Sequence, residues 1–180
     1  AVTGVQTCAL PIYVLFWNVD STRMPRAMHS FYLREFYLHN KLIHRNALTI
    51  AGHPLDLSAI RQSLYAVGCE EDHIAPWKAT FQIAKHLGAP VQYTLSSSGH
   101  ILGIINPPVR PPKRSYWTGD AANVTPDEWL KHQPKIDGSW WEDWTAWLGR
   151  RCGPKVEARM LGSSEYPALT TAPGSYVHEP

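Results

Sequence analysis

The hydrophobic positions change period along this chain, and each change marks an element. From Pro25 to Leu42, "PRAMHSFYLREFYLHNKL" sets Met28, Phe31, Tyr32, Phe36, Leu38 and Leu42 near helical spacing, with polar residues over much of the other face. Ser21 and Thr22 stand ahead of it as caps. "LTIAG" (48–52) is a short extended run, and "HPLDLSAI" after it reads as a loop. "SLYAV" (63–67) has the pattern of a buried strand ended by Gly68. An acidic loop follows, then "PWKATFQIAKHL", a helix with Pro76 at its start and Gly88 at its close. "VQYTL" (91–95) is the next strand, and "SSSGH" the loop beyond it. Strand, helix, strand is a βαβ unit, so the two strands are expected parallel with a right-handed crossover.

Past that unit, "NPPVRPPKRSYW" holds four prolines and is expected to wrap as extended surface chain. "GSWWEDWTAWLG" predicts an amphipathic helix bounded by Gly138 and Gly149. Residues 161–180, rich in Gly, Pro and Ser, read as a loosely packed tail. No segment repeats another.

Composition narrows the function classes. At 180 residues, 44% hydrophobic and 18% charged, the chain is of a size and kind to build one ordinary core. The net charge of +2 is scattered, and no stripe of Lys and Arg interleaved with aromatics points to nucleic acid. Three cysteines, Cys8, Cys69 and Cys152, are odd in number and far apart. That suits a reducing compartment better than a disulfide framework. No apolar stretch approaches a membrane span, and no basic region precedes an apolar one at the start. The nine histidines show no HExxH and no Cys/His cluster, so no metal is expected. The first twelve residues, "AVTGVQTCALPI", resemble the conceptual translation of a sequencing adapter, which would place the genuine start near Tyr13.

The chemistry is expected where the βαβ unit opens. In parallel sheets reactive groups gather beyond the carboxyl ends of the strands. Asp72 comes five residues after the first strand and His100 five after the second, so both loops reach one edge. A carboxylate that accepts from one imidazole nitrogen fixes the tautomer and frees the other nitrogen as a base. Acid before histidine is the chain order of α/β-hydrolase folds. Glu70 and Glu71 are the rival acids, read as a solvated turn, and His73 is read as orienting the loop or meeting Glu70.

"GCEEDHIAPW", "SSSGHILGIINPP", "KRSYWTGD", "GSWWEDWTAWL" and "APGSYV" occur in that order. As an ordered set they resemble the C-terminal part of the catalytic domain of class I polyhydroxyalkanoate synthases. "YVLFWNVDSTRMP" is similar to the segment leading into it, and the likeness runs from Tyr13 to Val177. The resemblance implies a C-terminal fragment of an α/β-hydrolase-like fold over residues 13–160, with parallel strands, crossover helices and an incomplete sheet. It implies an acyltransferase that polymerises (R)-3-hydroxyacyl-CoA through a cysteine nucleophile, with CoA as leaving group and not as cofactor. It also implies a polyester partner, a homodimer in the intact parent, and a place at cytoplasmic polymer granules. Asp72 falls on the family's Glu-Asp-His acid and His100 on its Ser-Gly-His base. Cys69 stands where a small polar residue is common, and Gly119 where the family has Asn.

The nucleophile of that fold needs a Gly-x-Cys-x-Gly elbow, because only glycines permit the backbone. "QTCAL", "VGCEE" and "RRCGP" all lack it, and no Gly-x-Ser-x-Gly replaces it. Carboxylates beside Cys69 are expected to raise its pKa, and the arginines before Cys152 to favour a thiolate. The expectation is therefore a fragment carrying Asp72 and His100 without their nucleophile, inactive alone and prone to aggregate. Two rivals remain at this level. One is an esterase or depolymerase that uses the same pair and admits water. The other is a non-catalytic module that binds granules through its tryptophans.

Overall fold

The computed structural model describes residues 23–171 and 174–175. Cys8, the adapter-like start and the caps expected at Ser21 and Thr22 lie outside the described residues. The described residues divide into two units: Ser30–Gly153, and residues 23–29 together with 154–171 and 174–175. In the second unit, residues 154–171 carry no helix or strand and are exposed.

The larger unit is built on a four-stranded sheet of order β3-β4-β5-β6: β3 (Leu64–Cys69), β4 (Val91–Ser96), β5 (Ser115–Asp120) and β6 (Ile136–Asp137). A separate hairpin pairs β1 (Thr49–Ile50) with β2 (His53–Pro54). The βαβ unit has the expected order and direction, with β3 and β4 parallel and in register from Leu64 opposite Val91 to Cys69 opposite Ser96. β3 is not ended by Gly68, however, which pairs with Leu95 inside the strand. The sheet as a whole is not parallel, since β5 pairs antiparallel to β4 and β6 antiparallel to β5. The chain from 106 to 114 has no helix or strand and bends at Arg110 and Pro111, but the run it leads into, Ser115 to Asp120, is a strand, with Ser115 and Tyr116 buried. Gly119 therefore lies within β5 opposite Tyr93 and not in a turn, and the Gln133 side chain lies where its Cβ would be.

The alternation along β4 divides the sheet into two chemically different faces. Val91, Tyr93 and Leu95 point one way and form the core with Phe81, Ala121 and Trp129, under α2 (Trp77–Thr80), α3 (Ile83–His86) and α4 (Pro126–His132). Gln92 and Thr94 point the other way, toward α5 (Trp140–Gly149). There Asp143 accepts from Tyr65 Oη at 2.8 Å and Gln92 Nε2 at 3.0 Å, and Thr94 Oγ1 donates to Tyr65 Oη at 2.9 Å. Thr118 completes the network, 2.7 Å from Thr94 Oγ1. Burial pushes the Tyr65 phenol far up, so it stays a donor. Helices on both faces of a mixed sheet give an α/β molecule.

Three helices depart from the periodic pattern. The run from 25 to 42 is not one helix: α1 (Arg26–Tyr32) passes into a π-helical stretch, Leu33–Leu38, and a 3₁₀ turn, Lys41–Ile43. The wider turn brings residues five apart together, Phe31 with Phe36 and Tyr32 with Tyr37. The crossover is likewise two short helices, with i→i+3 bonds such as Lys85 N to Gln82 O between them. Thr80 Oγ1 and Tyr93 Oη both donate to the Trp77 carbonyl, which ties the first of these helices to the sheet. α4 was not legible from hydrophobic period, yet it has a full capping box between Thr125 and Glu128 and Pro126 in its first turn. Within "HPLDLSAI", His53–Pro54 is a strand and Leu57–Ala59 a 3₁₀ turn.

Gly68 of β3 lies tight against the Tyr93 side chain of β4, since a Cβ there would lie 2.0 Å from Tyr93 Oη and 3.1 Å from Thr80 Oγ1 of α2. Gly68→Ala is expected to cost about 1–3 kcal/mol of unfolding free energy by overpacking. Combined with Tyr93→Phe, it should cost less than the sum of the two single losses in denaturant melts. Strictly additive losses would show that the clash is relieved elsewhere.

Candidate active site

Because β3 and β4 are parallel, the chain leaves both at the same edge, and main-chain bonds stitch the two exits together. Glu70 N–H donates to Ser96 O at 2.9 Å and Glu71 N–H to Ser98 O at 3.1 Å. Ser98 holds φ at 84°, a left-handed conformation that costs a residue with a Cβ, just where the chain turns toward His100. On the other exit, Asp72 N–H returns to Cys69 O at 3.2 Å and closes a tight turn.

The Asp72 carboxylate is oriented at both ends. Oδ1 accepts from the Ile74 and Ala75 N–H groups, each at 2.9 Å. That leaves Oδ2 facing His100 Nδ1, 2.7 Å away. The acid side chain is 6% exposed and the imidazole 46%, so the carboxylate is inside and the ring is at the rim. Burial pushes the Asp72 carboxyl up, but the bonds from Ala75, His100 and Ile74 together outweigh it, and the net position is below the ordinary carboxylate range. An ionised carboxylate only accepts, so Nδ1 carries the proton and the neutral ring keeps Nε2 as its free base. Among the described residues Nε2 has no hydrogen-bond partner.

Of the residues singled out in the sequence, the structure brings Asp72 and His100 together and leaves the others apart. Glu70, Glu71 and His73 are exposed, and neither a hydrogen bond nor an ion pair joins His73 to Glu70. Cys69 is the last residue of β3 and 1% exposed. Its thiol is pushed up to about 11, by burial first and by the Asp72 charge second. The expected direction holds, but the expected cause is the lesser one. Cys152 is a free, exposed thiol beyond the end of α5. Among the described residues, no cluster of His, Cys, Asp and Glu is placed to hold a metal, and no helix is long and apolar enough to cross a membrane.

Hydrophobic pattern gave no sign of the groups that hold the histidine loop. Trp140 Nε1 donates to Gly103 O and Trp141 Nε1 to Ile104 O, each at 2.9 Å, and Ser139 Oγ donates to Asn106 O. The only signal was chemical: an indole that packs against protein carries an N–H that needs an acceptor.

No family model matches the chain. It is 43% identical over 169 residues to the poly(3-hydroxyalkanoate) polymerase subunit PhaC of Cupriavidus necator, which takes in 93% of this chain and 28% of that protein. Identity to the PhaC subunit of Rhizobium etli is 41% over 170 residues, 94% of this chain and 26% of the relative. Identity to poly(3-hydroxyalkanoate) polymerase 2 of Ectopseudomonas oleovorans is 40% over 165 residues, 91% of this chain and 29% of the relative. The resemblance carried by the ordered motifs is thus found along nearly the whole chain, which spans between a quarter and three tenths of these relatives' length.

A carboxyl lowered in the folded state contributes stability that is complete above its unfolded value, about 3.9, and is lost as pH falls through the lower folded value. Thermal melts of the chain should therefore fall more steeply between about pH 5 and pH 3 than those of Asp72→Asn. The two variants should converge at the acid end. Parallel curves would mean that the carboxylate is not held as described.

Proposed function

We propose that this chain is the acid–base portion of an α/β-hydrolase-like catalytic domain in a polyhydroxyalkanoate synthase. Such an acyltransferase polymerises (R)-3-hydroxyacyl-CoA at cytoplasmic polymer granules and releases CoA. The observation that carries the reading is the 2.7 Å contact between His100 Nδ1 and Asp72 Oδ2 at the open edge of a parallel strand pair. It occurs in a chain 43% identical to part of a protein named as a poly(3-hydroxyalkanoate) polymerase subunit.

In this reading His100 Nε2 takes the proton of a cysteine thiol, and the thiolate adds to the thioester carbonyl of the substrate. The adduct collapses with cleavage of the bond to sulfur of CoA, and His100 returns the proton to the departing thiolate. In elongation the same base removes the proton of a 3-hydroxyl, whose oxygen attacks the chain thioester. An ester forms, and the cysteine leaves with the proton. Asp72, with both oxygens engaged, serves by orienting the ring and stabilising the imidazolium, not by taking its proton. The nucleophile is assigned to the part of such a polymerase that this chain does not span. Cys69 is sealed in the sheet with its thiol raised, and neither it, Cys8 nor Cys152 has the flanking glycines of an elbow.

The test is a chimera in which this chain replaces the matching stretch of the Cupriavidus necator polymerase. CoA release from (R)-3-hydroxybutyryl-CoA should be retained, and His100→Ala should lower kcat by about 10²–10⁴-fold. The chain by itself should release no CoA. An active His100→Ala chimera, or a chain active alone, would overturn the reading.

A further inference from the structure

His100 sits on a short turn to which the start of α5 is bonded. Residues 99–105 make a single helical turn, with Gly103 N–H to Gly99 O and Ile105 N–H to Ile101 O, both at 2.8 Å. Of its last carbonyls, Ile104 O accepts from Asn106 N–H at 3.0 Å, while among the described residues Gly103 O and Asn106 O take no main-chain donor. Consecutive residues at the start of α5 supply donors to all three, a second one in the case of Ile104 O. Ser139 Oγ donates to Asn106 O, Trp140 Nε1 to Gly103 O and Trp141 Nε1 to Ile104 O. Ser139 is also the cap of α5, accepting from Trp141 N–H at 3.0 Å, so the helix start and the turn share one set of bonds.

The turn is pinned from beneath as well, since a Cβ on Gly103 would lie 2.5 Å from Cys69 Sγ. α5 in turn is fixed to the two strands that carry the pair: Asp143 takes hydrogen bonds from Tyr65 of β3 and Gln92 of β4, and the Trp140 and Trp147 rings pack on Tyr65. The imidazole itself, 46% exposed, makes one hydrogen bond among the described residues, to Asp72. Its position therefore depends on the main chain of the turn.

We propose that Trp141 is a positioning residue for His100: its indole N–H, beside that of Trp140, holds the turn so that Nδ1 of His100 stays against Asp72. Trp140 is buried in the packing of α5, whereas the Trp141 ring is only half-buried, so the N–H of Trp141 is separable from the fold. The catalytic consequence rests on the function proposed above, and the geometric claim stands without it.

The geometric claim is read from the Asp72 carboxyl titrated by carbon NMR in this chain. His100→Asn sets the full upward shift of the midpoint that comes from losing the imidazole. Trp141→Phe, which keeps an aromatic ring and removes the donor, should raise the midpoint at least half as far while thermal unfolding stays cooperative. An unmoved midpoint in a folded Trp141→Phe overturns the proposal. Should that variant not fold, Trp141→Tyr is judged by the same shift. In the polymerase chimera, Trp141→Phe should lower kcat about tenfold with KM for (R)-3-hydroxybutyryl-CoA within about twofold, as a misplaced base and not a weakened substrate site would do. A chimera that stays active as His100→Ala would remove the catalytic role of the pair, and the titration would still decide whether Trp141 positions it.

Discussion

The parallel pairing of β3 with β4 is the constraint on which the rest depends. Six residue pairs in register, Leu64 with Val91 through Cys69 with Ser96, bring two chain exits to one edge. Every further contact between those exits follows from it, including the main-chain bonds from Glu70 and Glu71 to Ser96 and Ser98. An acid and a histidine 28 residues apart in sequence then meet within a hydrogen bond. A one-residue slip of β4 would turn its core side chains to the wrong face and carry the histidine loop away from the acid.

Around that pairing the two faces of the sheet do different work. One is a conventional apolar core, with Tyr93, Phe81 and Trp129 in edge-to-face and tilted contact. The other is a polar seam, with Tyr65, Gln92, Thr94, Thr118 and Asp143 satisfying one another beneath α5. The functional edge draws on the strand exits and on α5: main-chain bonds to Ser96 and Ser98 hold the acid loop, and donors from the start of α5 reach the histidine turn.

What could be read from sequence follows from which signals are local. The βαβ unit was legible because Pro76 and Gly88 set off the apolar runs around the crossover, although β3 runs on through Gly68 to Cys69, and the two loops then had to share an edge. The antiparallel half was not. "SYWTGD" follows four prolines and has no clean alternation, and its strand identity comes from pairing with β4, a contact remote in sequence. The π-helical stretch after α1 escaped for a related reason, because its i to i+5 ring pairs defeat a period of 3.6. α4 is a different case: "TPDE" states a capping box openly, and weighing hydrophobic period over capping chemistry hid it. In the site, the pair was legible from strand ends and acid–histidine order, while the indole donors were not, since a tryptophan's choice of acceptor is a tertiary fact.

The polar seam under α5 has a mechanical consequence. Helices laid on a sheet by apolar contact alone have many nearly equivalent seatings, and small rolls or slides cost little. Asp143 removes that freedom, because its Oδ2 must meet Tyr65 Oη and Gln92 Nε2 together, from two different strands. Such a joint indexes the helix to one angular setting, as a key does a shaft, and whatever is fastened to its first turn inherits the strands' own precision.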